Sequence, residues 1–181
     1  YTCATTANGP GAWNGLGKVQ YSATVAVKKV DAGDTLYVCG AHHVSIVQER
    51  LFPIVSGNAT DGPITITGRC PMDYGSISGM KTHVRMINLQ TDQTHYIFEY
   101  LTIYDSGPHE YPLSFYGTAT NPRFITVRHS RFLDNGLGLA TIFAWGSDFT
   151  FEDLYFDGCG DDCVHVEGGK NLIFVRSTCR G

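Results

Sequence analysis

The chain has 181 residues, enough for one domain with a substantial core and too few for two domains of ordinary size. Seventeen acidic and thirteen basic side chains give a formal net charge of −4, which argues against binding to nucleic acid or to an anionic membrane surface. Charged residues make up 17% of the chain, below the usual ~25%, and the 21 glycines exceed the typical ~7%. This composition is typical of turn-rich β structure, and no uncharged stretch approaches the roughly 18–20 apolar residues of a membrane-spanning helix.

Residues 16–30 are the one segment with a helical apolar pattern. Val19, Val27 and other small apolar side chains recur there at the spacing that forms a single stripe. Residues 31–34 then end the helix, and residues 35–39 have the alternation of a strand. We predict one amphipathic helix followed only by strands.

A repeat dominates the rest of the chain. Four windows share an alternating apolar pattern with a two-residue break, followed by a turn, and they begin at offsets of 29, 24 and 23 residues. The four aligned sets are Tyr96, Phe98, Leu101 and Ile103; Ile125, Val127, Ser130 and Phe132; Phe149, Phe151, Leu154 and Phe156; and Leu172, Phe174, Ser177 and Cys179. A period of this length indicates a solenoid, and strand-like alternation within each window favours a parallel β-helix.

The predicted fold is therefore all-β, a single solenoid domain over residues 1–181 with about six rungs in residues 35–181. A β-sandwich is the alternative, but its hairpin signal appears only at Asn135-Gly136, inside the repeat. The helix at 16–30 is expected to cap the first rung, because an open rung exposes a strand edge and an apolar column. The aromatic columns Phe98, Phe151 and Phe174, and Phe132 and Phe156, are expected to be core stacks.

The last predicted rung, residues 172–179, is followed by two residues and by no capping element. We expect either that the natural chain continues or that another surface covers this rung, for example by end-to-end self-association.

Six cysteines form no Cys-x-x-Cys pair, so the usual zinc and thioredoxin spacings are absent. Disulfides in an oxidising compartment fit this usage better, and they predict a secreted, extracellular protein.

The segment Gly160-Asp161-Asp162-Cys163 is the strongest candidate for a catalytic site. Adjacent carboxylates shift each other's pKa values apart, and that divergence suits acid–base hydrolysis of a glycosidic bond. Both side chains reach one cleft only if they lie in a turn, because successive residues of a strand point to opposite faces. The alternative is a turn with two solvated aspartates.

Residues 157–166, together with Gly169-Lys170-Asn171-Leu172 and Thr178-Cys179, resemble the Asp-Asp-Cys region of the polygalacturonase-type glycoside hydrolases, which are pectin-lyase-like right-handed β-helices. The resemblance implies Asp161 as general acid, Asp162 as an aspartate that activates water, and an acidic polysaccharide as substrate, with no cofactor. It also implies a disulfide between Cys163 and Cys179. The family's third aspartate has no counterpart here, where residues 137–140 read Leu-Gly-Leu-Ala.

Residues 32–38 and 57–68 are similar to the first rungs of secreted polysaccharide lyases. That resemblance implies a second possibility, in which Asp161 and Asp162, with Asp157 or Asp134, bind Ca²⁺.

Basic side chains near the aspartates are further candidates. His165, between Val164 and Val166, is expected to point outward and to bind a sugar or transfer a proton, although a surface histidine without a role fits the same pattern. The candidate substrate-binding residues are His129, Arg131, Lys170 and Arg176, of which Lys170 and Arg176 are also candidate bases for a lyase. The pairing of Cys3, Cys39, Cys70 and Cys159 stays open.

Three functions follow from these predictions. The first is hydrolysis of an acidic polysaccharide, and the second is calcium-dependent polysaccharide cleavage by a lyase. The third is a non-catalytic β-helix that binds glycans or assembles end to end.

Overall fold

The computed structural model describes residues 30–38, 42–44, 55–69, 78–82, 87–89, 93–104, 111–116, 122–134 and 140–181. Within these ranges every regular element is a β-strand, and no helix there has the length and apolar character needed to cross a membrane. The helix predicted at 16–30 lies outside the described residues, except for its last position. The strands are β1 (Thr35–Tyr37), β2 (His42–Val44), β3 (Ile64–Thr67), β4 (Ser78–Thr82), β5 (Ile87–Leu89), β6 (Thr94–Glu99), β7 (Leu101–Tyr104), β8 (Leu113–Phe115), β9 (Arg123–Arg128), β10 (Arg131–Leu133), β11 (Ala140–Glu152), β12 (Tyr155–Asp157), β13 (Asp162–Val175) and β14 (Thr178–Arg180).

These strands form two parallel sheets. The first has the order β1-β3-β6-β9-β11-β8-β5, with β13 also paired to β11, and the second has the order β14-β12-β10-β7-β4-β2. Every strand pair is parallel, and most neighbours in a sheet are separated in sequence by one period of the repeat. The predicted all-β, parallel class is confirmed.

The aligned positions of the repeat lie side by side in the sheets. In the first sheet, Phe98 pairs with Val127, Val127 with Phe151, and Phe151 with Phe174. In the second sheet, the column runs through Ile103, Phe132, Phe156 and Cys179. The alignment that was read from the sequence is therefore confirmed as strand register.

The core lies between the two sheets. Phe98, Phe115 and Phe151 from the first sheet and Ile103 and Phe132 from the second are fully buried in one apolar cluster. Removal of such large apolar surfaces from water is the main favourable term in folding.

The sequence predicts Phe174 as a core residue, but in the structure its side chain is exposed. Its ring stacks on Phe151 with centroids 4.8 Å apart, yet 52% of its surface is exposed. The physical reason is its position, because among the described strands β13 pairs with β11 alone.

Two columns of residues with left-handed backbone border the repeated apolar positions, the first within β6, β9, β11 and β13 and the second directly after each of these strands. One column contains His95, Phe124, Asp148 and Asn171, with φ between 55° and 60°. The other contains Tyr100, His129, Asp153 and Arg176, with φ between 48° and 54°. Both columns recur at the offsets of the apolar repeat. Residues other than glycine rarely adopt this conformation, so these corners are a second repeated signal that the sequence does not mark with glycine.

Two serines occupy apolar columns because they satisfy the backbone at a corner. The Oγ atom of Ser130 accepts a hydrogen bond from the Leu101 amide at 3.2 Å and donates one to the Arg128 carbonyl at 2.8 Å. Ser177 accepts from the Leu154 amide at 3.3 Å in the same way. Buried backbone groups need such partners, and this explains a polar residue in an inward column.

Candidate functional site

The paired aspartates lie where the second long strand of the first sheet begins. Asp161 is in a bend, Asp162 is the first residue of β13, and both side chains are exposed. The predicted turn contains Asp161 alone, because Asp162 already belongs to β13. The carboxylate of Asp162 nevertheless reaches the side chain of His165, three residues further along the strand.

His165 bridges two carboxylates. Its Nδ1 atom lies 2.8 Å from Oδ2 of Asp162, and its Nε2 atom lies 3.3 Å from Oε1 of Glu167. A carboxylate can only accept a hydrogen bond, so both contacts are hydrogen bonds when the imidazole carries two protons. The hydrogen bonds to Asp162 and then to Glu167 raise the pKa of His165 above its ordinary value.

The imidazole also stacks on an aromatic ring from the neighbouring strand. Phe143 of β11 pairs in register with His165, and the ring centroids lie 5.5 Å apart with planes 8° from parallel. Trp145, two residues further along β11, pairs in register with Glu167. Ile142 and Ala144, which alternate with these aromatics, are fully buried, so Phe143 and Trp145 lie on the outer face of the sheet.

Two tyrosines from the ends of β8 complete this outer aromatic cluster, which consists of Tyr111, Tyr116, Phe143 and Trp145. Tyr111 lies 4.8 Å from Phe143, between ring centroids, and Tyr116 lies 6.0 Å from Phe143. The ring of Tyr116 meets that of Trp145 edge-on at 5.5 Å. The result is a continuous aromatic surface beside a pair of carboxylates.

Sequence reasoning missed Glu167 and the outer aromatic cluster. The alternation that predicts His165 to point outward between Val164 and Val166 also predicts Glu167 to lie beside it, two residues on. The same alternation along β11 would have identified Phe143 and Trp145. Tyr111 and Tyr116 carry no such signal, because each flanks a strand of three residues.

The structure does not bring all the predicted basic residues to the aspartates. Asp162 pairs with Ala140, the first residue of β11, whereas the corner at Arg176 follows the pairing of Val175 with Glu152, the last residue of β11. His129 lies at this far corner too, because its amide donates to the carbonyl of Glu152.

At the far corner, the side chains of His129 and Arg176 contact aromatic and acidic neighbours. His129 stacks on Tyr100 at 5.1 Å, and its Nδ1 atom lies 3.1 Å from Oδ2 of Asp153. Arg176 donates to Oδ1 of Asp153 at 2.6 Å and also contacts Glu152. The hydrogen bond from Arg176 lowers the pKa of Asp153 and raises that of the guanidinium.

The remaining predicted groups are divided between the sheets. Arg131 of β10 lies in the second sheet, with its guanidinium 5.7 Å from the ring centre of Tyr155. Lys170 lies on β13 and pairs in register with Ser147, beyond the irregularity that follows Trp145. Of the four predicted substrate-binding residues, Lys170 is therefore the one that shares a strand with His165.

Three cysteines converge next to the aspartates. The sulfur of Cys163 is within bonding distance of both Cys159 and Cys179, with Cα–Cα distances of 5.2 and 6.6 Å. Both distances suit a disulfide, but one sulfur forms only one such bond. The predicted Cys163–Cys179 bridge is thus one of two alternatives, while Cys3, Cys39 and Cys70 lie outside the described residues.

The described carboxylates do not fit a calcium site. Among the residues that the structure describes, the cysteine trio is the one group of three or more potential ligand residues whose donor atoms converge. Asp157 lies in the second sheet, where its Oδ2 atom accepts a hydrogen bond from the Tyr155 hydroxyl at 3.1 Å. Ca²⁺ needs six to eight oxygens, so the calcium alternative gains no support from these side chains.

Comparison with known proteins found no family model, no curated protein and no solved structure that matches this chain. The resemblances noted in the sequence therefore stay predictions, and the geometry of the site carries the functional argument.

Proposed function

We propose that this chain is a right-handed parallel β-helix of the pectin-lyase-like type that acts on a polysaccharide. Two observations support the coiled fold: parallel strands with aligned apolar columns, and two left-handed corners that recur at the same offsets. In such a fold each turn of the chain stacks its inward side chains on those of the next. The outer faces then form long surfaces on which an extended polymer can lie.

We propose glycoside hydrolysis as the reaction, and the contact between Asp162 and His165 carries this proposal. In the proposed mechanism, Asp162 takes a proton from water, the water oxygen attacks the anomeric carbon, and Asp161 protonates the departing oxygen. His165, with both ring nitrogens protonated, donates a hydrogen bond from Nδ1 to Asp162 at 2.8 Å and orients its carboxylate. The proton that Asp162 has taken then leaves to solvent, and Asp161 regains its proton from solvent.

Glu167 has a positioning role in this proposal. Its contact with Nε2 orients the ring, so that Nδ1 is directed at Asp162. It also supplies a third carboxylate close to Asp162, whereas the polygalacturonase-type hydrolases that the sequence resembles carry theirs one rung earlier. Because Glu167 touches His165 rather than the reacting atoms, its loss is expected to reduce the rate less than the loss of Asp162.

A second candidate function rests on a different observation. Leu172, Ile173 and Phe174 of β13 are 36%, 52% and 52% exposed. Such a strand can pair with the equivalent surface of another copy, and this favours a self-assembling β-helix. A glycan-binding protein without catalysis would use the same outer face as the hydrolase.

Secretion is part of the proposal and is supported by the converging sulfurs of Cys159, Cys163 and Cys179. Disulfides persist in oxidising compartments, where polysaccharides of cell walls and capsules are also found.

The experiment that tests the proposed function is product analysis on soluble polysaccharides. The purified protein is incubated with xylan, glucomannan and polygalacturonate, with and without a chelator, while reducing ends and ultraviolet absorbance are followed. Hydrolysis predicts new reducing ends, no new absorbance and no effect of the chelator. Absorbance that the chelator abolishes would instead identify a lyase. Ordered assemblies without turnover on any polymer would favour the structural candidate.

A further inference from the structure

The outer aromatic cluster spans neighbouring strands of the first sheet. Tyr111 and Tyr116 flank β8, Phe143 and Trp145 lie on β11, and His165 continues the row on β13. Adjacent strands are about 4.8 Å apart, so the row extends across the strands rather than along one of them. One end of the row is the imidazole that touches Asp162.

A surface with both aromatic rings and carboxylates is chemically complementary to a sugar. A pyranose ring has an apolar face of C–H groups, which packs on an aromatic ring, and a rim of hydroxyls, which donate to carboxylates. Tyr116 offers 36% of its surface to solvent, and Phe143 and Trp145 are half-buried, so their rings are fixed before a ligand arrives. A ring that is already held loses little conformational entropy on binding.

The charges around the row favour an uncharged ligand. His165 contacts two carboxylates, those of Asp162 and Glu167, and a third carboxylate, Asp161, comes directly before Asp162 in the chain. Two described arginines away from the row are already paired with carboxylates: Arg128 with Glu99 at 2.6 Å and Arg176 with Asp153. Lys170 is the nearest cation on the strand, three residues beyond Glu167.

We propose that the outer aromatic cluster is a binding platform for consecutive pyranose units of a neutral polysaccharide, which it delivers to Asp161 and Asp162. This inference rests on the proposed function and narrows its substrate class. A polymer with a carboxylate on each sugar would meet Asp162 and Glu167 with like charge, and such repulsion selects against it. The resemblance to polygalacturonases implies an acidic polysaccharide instead, so a binding experiment with neutral and acidic polymers distinguishes the two substrate classes.

Binding is measured with xylan, glucomannan and polygalacturonate by following tryptophan fluorescence. The chain has two tryptophans, and a Trp13→Phe background leaves Trp145 as the one reporter. We expect a neutral polymer to change the emission of Trp145 and polygalacturonate to leave it unchanged at the same concentration. A response to polygalacturonate alone would overturn the inference.

Variants then locate the binding surface. Tyr116→Ala and Phe143→Ala are expected to weaken binding of the neutral polymer about tenfold or more. The matched control is Phe124→Ala, which removes a ring that is 46% exposed and stacks on His95 away from the cluster. If both cluster variants bind as tightly as the wild type, the platform is wrong. If Phe143→Ala fails to fold, Tyr116→Ala decides alone.

The double variant Asp161→Asn, Asp162→Asn separates this inference from the proposed function. We expect it still to bind the neutral polymer through the aromatic rings, more weakly than the wild type because two carboxylate acceptors are lost, while it produces no reducing ends. A wild-type protein that binds the neutral polymer through Tyr116 but never cleaves it would refute the hydrolase and leave the platform intact. Cleavage that is indifferent to Tyr116 and Phe143 would refute the platform and leave the hydrolase.

Discussion

His165 and Phe143 face each other across two paired strands, with ring centroids 5.5 Å apart and planes 8° from parallel. This contact joins the carboxylates of β13 to the aromatic surface of β11. A ligand bound at the aromatic cluster is therefore adjacent to the groups that hold the proton on His165. The proposed activity depends on this arrangement.

The pKa of His165 is the first testable consequence. We expect it to lie above the ordinary value of 6.5, because two carboxylates accept hydrogen bonds from the ring. Phe143 of β11, which stacks on the ring, carries no charge. NMR titration of the imidazole should show the raised pKa, and Asp162→Asn should lower it more than Glu167→Gln does.

The sign of the effect on stability follows from the same shift. A raised pKa in the folded protein means that the contacts of His165 stabilise the fold fully below pH 6.5 and lose this contribution as the pH rises through the folded pKa. The difference in unfolding free energy between wild type and His165→Gln should shrink over that interval. A difference that grows with pH would contradict the geometry.

Truncation of the stacked aromatic column should depend strongly on position. Phe151 is fully buried between neighbours, whereas Phe174 is 52% exposed. We expect Phe151→Ala to reduce the free energy of unfolding by about 3–5 kcal/mol. Phe174→Ala should cost clearly less in the same urea titration. Equal losses would mean that the two rings do not differ in burial.

At the left-handed corners, substitution by glycine should reduce stability less than substitution by a β-branched residue. Asn171 has a φ of 55°, and its amide donates to Oδ1 of Asp148 at 2.7 Å. A β-branched residue in this conformation costs about 1–2 kcal/mol. Both Asn171→Val and Asn171→Gly lose this hydrogen bond, but Asn171→Val should lower the urea midpoint further, because glycine has no Cβ and adopts a positive φ without strain. A valine variant as stable as the glycine variant would show that this corner is not left-handed.

Disulfide mapping tests the cysteine cluster. Because Cys163 contacts two other sulfurs, we expect it to be bonded to either Cys159 or Cys179 in the oxidised protein. Peptide mapping without reduction should find one of these bridges, and Cys179→Ser should shift the bond to Cys159. A bond from Cys163 to Cys3, Cys39 or Cys70 would contradict the observed convergence.

The inward face of this fold is well encoded in the sequence. Phe98, Val127 and Phe151 align at the repeat offsets because parallel strands in register require similar side chains at the same depth. The positions of Ser130 and Ser177 follow from the same alignment. Their role could not be predicted, because it depends on backbone amides of another turn.

The outer face was harder to predict. The sequence predicts His129 on the outer face beside inward-facing Ser130 and Arg176 as a basic residue near the aspartates, but both occupy left-handed corners at the far end of β11. No glycine marks these corners, and the Asp, Asn and His residues that occupy several of them are common in other settings too, so the sequence indicates these turns only weakly. The aromatic cluster joins side chains of β8 and β11, and such a contact depends on which strands pair rather than on local pattern.

The most direct test of the central claim is the rate of reducing-end release by Asp162→Asn on the polysaccharide that the wild type cleaves best. We expect a loss of about a hundredfold or more, because this carboxylate is proposed to activate the attacking water. The matched control is Asp61→Asn, an exposed aspartate that bonds to Asn58 in a separate turn, and it should keep the wild-type rate. If Asp162→Asn cleaves the polymer as fast as the control does, the aspartate–histidine pair is not a catalytic site.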